Sequence, residues 1–169
     1  MNARCQGGNL LLNLLEGIKC GAATPEQHAR TVMETAVSFK DAVSKFESGK
    51  LINDVYYIVS GDEEGEGTVV TRSRNHNADT WSIDNAEEGG QGWYRLQTNY
   101  DHMYPDSDAD NRRDPGEANM DKLGVDGITE ENIEEGVLTV WPTFNPHTDL
   151  TCVMVAKEGT YDCKVWMDE

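Results

Sequence analysis

Asp106, Asp108 and Asp110 alternate along one short stretch, and Glu117 stands at the twelfth position counted from Asp106. Carboxylates at positions 1, 3, 5 and 12 are the spacing with which an EF-hand loop wraps oxygens around calcium. The residues between them oppose that chemistry. Asn111 takes the sixth position, where glycine makes the sharp turn, and Arg113 takes the eighth, where a branched apolar residue belongs. Pro115 interrupts the approach to Glu117, and the cations Arg112 and Arg113 repel an ion. A solvated acidic loop, or carboxylates paired with the two arginines, is expected there, with calcium binding as the alternative.

The remaining chemistry-bearing residues are scattered. His28, His76, His102 and His147 show neither HExxH nor HxH spacing and read as surface residues. Cys5, Cys20, Cys152 and Cys163 form no CxxC pair, so zinc is not expected. Cys5 reads as a small, partly buried residue near a helix start. A serine nucleophile would want GxSxG, which is absent. No metal and no cofactor is expected.

The order of motifs becomes specific between residues 69 and 113. Thr71-Arg72-Ser73-Arg74 ends a β-branched run, Gln97-Thr98-Asn99-Tyr100-Asp101 ends an aromatic one, and Asp110-Asn111-Arg112-Arg113 follows. This order resembles the C-terminal part of the catalytic subunit in the acid ceramidase and N-acylethanolamine acid amidase family. Those N-terminal-nucleophile cysteine hydrolases carry T-R-x-R, then (Q/E)-T-N-Y-D, then D-D-R-R. A weaker likeness adds Val55–Ser60 before its Gly-rich loop, Val137–Asn145 as a helix end, and Leu150–Tyr161 as a closing hairpin. Most of residues 30–166 is covered.

The resemblance implies an α+β fold, part of an αββα sandwich in which helices flank antiparallel strands. It also implies an amidase acting on N-acyl amides of the ceramide or N-acylethanolamine type. In such an enzyme the thiol of the first residue attacks the amide, and that residue's own α-amino group, with a pKa near neutrality, is the base. Fixed donors must then meet the charge that develops on the carbonyl oxygen. By position in the motifs, Asn99 corresponds to the family's oxyanion asparagine and Arg112 to the first arginine of its pair, beside the nucleophile. Read without the family, Asn99 is a turn-forming residue after a strand, and Arg112 is a loop arginine paired with Asp108 or Asp110. Asp101 reads as a structural turn carboxylate.

The family's Cys-first strand, with the Arg and Asp that act beside it, has no counterpart in this sequence. Cys5 is followed by Gln-Gly-Gly-Asn and a leucine-rich stretch. The expectation is a single domain over 1–169, the C-terminal portion of a catalytic subunit. Its expected partners are a nucleophile-bearing segment or another subunit, and a lipid amide substrate. A non-catalytic structural or interaction subunit of a larger assembly is the alternative. The family implies a lysosomal or secretory location, although residues 1–16 show no signal-peptide pattern and the chain has no Asn-x-Ser/Thr sequon.

Composition limits the other possibilities. The 169 residues carry 14 Lys plus Arg against 31 Asp plus Glu, a formal charge of −17. A surface built to hold nucleic-acid phosphates needs clustered cations, so nucleic acid is excluded as a partner. The apolar share is 37% and the mean hydropathy −0.64, which predicts an economical core and long loops. No apolar run approaches the ~20 residues of a membrane span, so no transmembrane segment is expected.

The elements that must position these residues follow from local patterns. Leucines 10, 11, 14 and 15 predict a helix over Asn9–Ile18. Thr24-Pro25-Glu26-Gln27 is a capping box with proline at the first helical position, and Ala29, Val32, Met33 and Ala36 line one face of the helix it starts. Ser38 starts a second helix, Phe39–Glu47, that buries Ala42, Val43 and Phe46 and ends at Gly49. Val55–Ser60, Gly67–Arg72, Thr80–Asp84 and Gly92–Thr98 read as strands joined by acidic, Gly-rich loops at Gly61–Gly67 and Asn85–Gly92. Asp101–Gly116 reads as a long loop. Thr129 caps a helix running to about Thr139. Leu150–Ala156 and Thr160–Trp166 form a last hairpin. Gly159 favours a Glu158-Gly159 turn, which puts Cys152 and Cys163 diagonally on one face as reduced thiols; a Lys157-Glu158 turn would oppose them directly, within reach of a disulfide.

Overall fold

The structure is a computed structural model and describes residues 1–4, 11, 15, 21–83, 92–105 and 111–167. Cys5, Cys20, the Asn85–Gly92 loop apart from Gly92, Asp106, Asp108, Asp110 and, apart from Leu11 and Leu15, the Asn9–Ile18 helix lie outside the described residues. The chain divides into two compact units, Met1–Met103 and Tyr104–Glu169.

The first unit is built on a four-stranded antiparallel sheet of order β1-β2-β3-β4, formed by Asn2–Ala3, Val55–Ser60, Gly67–Arg72 and Asn77–Ser82. β2 and β3 pair along their full length, from Val55↔Arg72 to Ser60↔Gly67. Gly65, with φ +84°, makes the return between them. β4 begins three residues earlier than its sequence suggests, because the register slips at Thr71/Arg72 and lets Asn77 pair with Arg72. Helices α1 (Pro25–Thr35) and α2 (Phe39–Glu47) start where their caps predict: Thr24 and Gln27 close the capping box, and the Ser38 hydroxyl accepts from the Asp41 amide. Val32, Phe46, Leu51, Val55, Tyr57 and Val70 form one core cluster; Tyr56, Val69 and Trp81 form another. Residues alternate across a strand, so Val55 and Tyr57 go to one cluster and Tyr56 to the other. Met33 is a correction: it is 81% exposed, because the apolar stripe of α1 runs along 29, 32 and 36 and leaves position 33 turned outward.

Arg72, from the T-R-x-R motif, is fully buried yet charged. Its guanidinium donates to the carbonyls of Phe46, Ser48 and Gly49, and its Nε to that of His76. Phe46 and Ser48 end α2, where helix carbonyls lack intrahelical partners and carry partial negative charge. This arginine closes a helix.

Gly92–Thr98 is not a strand; among the described residues it runs without ladder pairing. Its side chains hold it instead. Arg95 lies 4.7 Å from the Trp81 ring centroid and donates to the Ser82 carbonyl at 2.5 Å.

In the second unit, α3 (Arg113–Leu123) occupies what reads as the end of a loop. Thr129 caps α4 (Glu130–Ile133), which continues as a π-helical turn, Glu134–Leu138. β5 (Leu150–Val155) and β6 (Thr160–Val165) form a two-stranded sheet. Cys152 stands directly opposite Cys163 and the two are disulfide-bonded, which corrects the expectation of diagonal, reduced thiols. The reason is the turn. The Gly159 amide donates to the Ala156 carbonyl, so Lys157 and Glu158 are the central residues, and Gly159 takes φ +67° one position later. Leu150 with Val165 and Met154 with Tyr161 share the disulfide's face, and all four are more than half exposed.

Candidate functional site

Asn99 lies in a turn after the irregular 92–98 segment, and β1 holds it from the side. Asn99 Nδ2 donates to Asn2 Oδ1 at 3.0 Å, and Asn2 Nδ2 donates to the Thr98 carbonyl at 3.1 Å. Two residues further on, Asp101 receives Arg4 Nε on Oδ1 and Arg4 Nη2 on Oδ2, both at 2.6 Å. The Tyr56 hydroxyl donates to the same Oδ1 at 2.7 Å, and Arg4 Nη1 donates to Ser73 Oγ at 2.9 Å. This is the fork geometry in which arginine binds a carboxylate with most specificity.

The electrostatics follow from burial. The Arg4 and Asp101 side chains are 10% and 3% exposed. Burial alone would raise the Asp101 pKa, but the hydrogen bonds from Arg4 and Tyr56 outweigh it and hold the carboxyl below its ordinary value. Burial, and then the bond to Asp101, push the Tyr56 phenol up. The partners of Asp101 include an arginine and a tyrosine that local pattern does not reveal.

His102 extends the hold to β4. Its ring stacks on Trp81 at a centroid distance of 4.0 Å and an angle of 8°, and its Nε2 lies 3.7 Å from Asp79 Oδ2. His102 is largely buried, which corrects the reading of the histidines as surface residues. His28 also turns inward, with Nδ1 at 3.2 Å from the Tyr57 hydroxyl and its ring edge-on to Phe46.

Arg112 is half-buried in the second unit and takes the N-cap position of α3. Asn111 before it has φ +43°, a left-handed conformation that Asn tolerates better than most side chains. Arg113 is buried and donates to the Tyr104 carbonyl at 2.7 Å. Glu117 lies within α3, and among the described residues no cluster of His, Cys, Asp and Glu could hold a metal. No helix among the described residues is long and apolar enough to cross a membrane.

An antiparallel sheet with helices packed against it makes the chain an α+β protein. No protein-family model matches it. It is 35% identical over 148 residues to the N-acylethanolamine-hydrolyzing acid amidase of Mus musculus, covering 86% of this chain and 39% of that protein. Against the acid ceramidase of Homo sapiens the identity is 31% over 133 residues, covering 79% of this chain and 33% of that one. The solved structure of a Caenorhabditis elegans N-acylethanolamine-hydrolyzing acid amidase ortholog is similar with a TM-score of 0.76 at 27% identity, over 92% of this chain and 64% of that chain. The chain belongs to the acid ceramidase and N-acylethanolamine acid amidase family. It spans well under half the length of either of these two curated relatives.

Proposed function

We propose that this chain is the C-terminal portion of the catalytic subunit of an N-acyl amide hydrolase, with a ceramide or an N-acylethanolamine as substrate. The observation that carries the reading is the hydrogen bond from Asn99 to Asn2 of β1, two residues before the Arg4–Asp101 pair, in a chain whose relatives are named for amide hydrolysis. A carboxamide held by hydrogen bonds is a donor that need not reorganise when charge appears on the substrate carbonyl. For Arg112 the reading rests on its place in the motif alone, as an arginine beside the nucleophile that orients groups and stabilises negative charge.

The nucleophilic thiol comes from another segment, on this polypeptide or a second one. The exposed apolar face of the β5–β6 sheet supports such a partner, since two strands alone are marginal in water. The enzyme works in an acidic lysosomal or secretory compartment. The word acid in both relatives' names supports that location, and a disulfide belongs to oxidising surroundings.

The test is to assay the purified 169-residue chain against N-acylethanolamines and short-chain ceramides at acidic pH, alone and together with a nucleophile-bearing segment. The chain alone is expected to be inactive. The combination is expected to turn over, and Asn99→Ala to lower its kcat by about 10²–10³. Robust turnover by the chain alone, surviving Cys5→Ala, would overturn the assignment of the thiol to another segment.

A further inference from the structure

Asn2 sits on β1 opposite Tyr56 of β2, and both ends of its carboxamide engage the turn that carries Asn99. A backbone carbonyl can only accept, so the bond to Thr98 decides that the nitrogen of Asn2 faces the main chain. Asn2 is then left with only an oxygen to offer Asn99, and Asn99 must answer with its nitrogen. Either amide, placed alone, could rotate by a half-turn at little cost, because its terminal torsion is broad and roughly two-fold. Coupled to each other and to the Thr98 carbonyl, both acquire one polarity. That polarity originates in a main-chain group no side-chain rotation can reverse.

We propose that Asn2 is the positioning residue for Asn99, holding its carboxamide so that nitrogen rather than oxygen is presented to a developing oxyanion. The inference rests on the oxyanion reading of Asn99 given above. An amide nitrogen carries two protons. Asn2 accepts one of them, and that bond fixes which end of the Asn99 amide is nitrogen. The opposite orientation would aim a carbonyl oxygen at negative charge and turn attraction into repulsion. Arg4, the residue after β1, secures the chain two residues further on through Asp101.

The test uses the ¹⁵N-labelled 169-residue chain, with the side-chain amide signals of Asn99 identified by their loss in Asn99→Asp. In the unsubstituted chain the two amide protons are expected to be well separated in shift and slow to exchange. In Asn2→Ala, and in the near-isosteric Asn2→Leu, their separation collapses and exchange quickens by about tenfold or more. Asn2→Asp keeps an acceptor toward Asn99 and preserves the slow exchange. The backbone signals of β2 and β3 report whether each variant is folded. In the complex with the nucleophile-bearing segment, Asn2→Ala lowers kcat by about 10- to 100-fold and leaves KM within about twofold. Asn99 signals unchanged in both Asn2→Ala and Asn2→Leu would overturn the positioning role. Full turnover by Asn99→Ala would instead overturn the oxyanion reading, whatever the spectra show.

Discussion

Arg4 and Asp101, 97 residues apart in sequence, meet in a two-pronged ion pair at 2.6 Å on each arm. Tyr56 adds a further hydrogen bond to the carboxylate from β2. Replacing Arg4 by methionine strands a buried charge and is expected to cost about 3 kcal/mol of stability. Asp101 has a folded pKa below its unfolded value, so its contribution is complete above the unfolded value of about 3.9 and is lost as pH falls through the folded one. The native clamp therefore persists at mildly acidic pH. Denaturant titrations across pH 3–7 should show Arg4→Met regaining part of its lost stability as pH falls, because protonation neutralises the stranded carboxylate, while the native chain loses stability there. Coincident acid limbs would refute the assignment of the clamp's acid stability to Asp101.

His28 predicts a loss of stability that begins at milder acidity. Burial, and then the nearby Arg72 charge, lower its pKa below the usual imidazole value. Its neutral form is the folded one, so protonation opposes folding. Stability should decline as pH falls below about 6.5, the unfolded value, and level off below the folded pKa. His28→Gln should flatten that decline, and an unchanged slope would assign it to another group.

Arg72 is expected to be among the least replaceable residues. Arg72→Lys supplies one ammonium where a planar fork reaches several carbonyls, and Arg72→Met leaves buried acceptors unpaired. Each variant should lose about 2–3 kcal/mol, methionine more than lysine, by denaturant unfolding. Retained stability in both would mean that the end of α2 is satisfied by other donors.

The disulfide can be read by peptide mapping. Trypsin cuts after Lys157 and Lys164, so Cys152 and Cys163 fall on separate peptides. Without reductant these should appear joined, and Cys152→Ser should lower the stability of the second unit by about 2–3 kcal/mol for so short a loop. Two freely alkylated peptides from an unreduced sample would restore the reduced-thiol expectation.

Local signals served the helix caps and strands well. Thr24, Ser38 and Thr129 start the helices their side chains announce, and β2 and β3 begin and end where their β-branched runs do. The α+β class follows from those elements. α3 is hidden by Pro115 and Gly116, which read as loop. Pro115 is in fact the third helical residue, where its missing N–H costs no intrahelical bond. The segment 92–98 misleads for the converse reason: its aromatic content suits a strand, yet Arg95 and Gln97 bond carbonyls at and around it while no ladder forms. Asn99 is marked by its motif. Asn2, Arg4 and Tyr56 carry no local pattern, because the contacts that define them join distant parts of the chain and exist only once the sheet has formed.

The apolar face of the β5–β6 hairpin sets the protein's colloidal behaviour. Leu150, Val165, Met154 and Tyr161 form an adhesive patch on a molecule whose formal charge is −17. At neutral pH and low salt, mutual repulsion keeps such patches apart. Salt shortens the range of that repulsion to about 8–10 Å at physiological strength, and acidification toward the sequence pI of about 4.4 removes the charge itself. The acidic conditions proposed for catalysis are thus those in which the uncovered chain should self-associate most readily, and light scattering against pH would follow that transition.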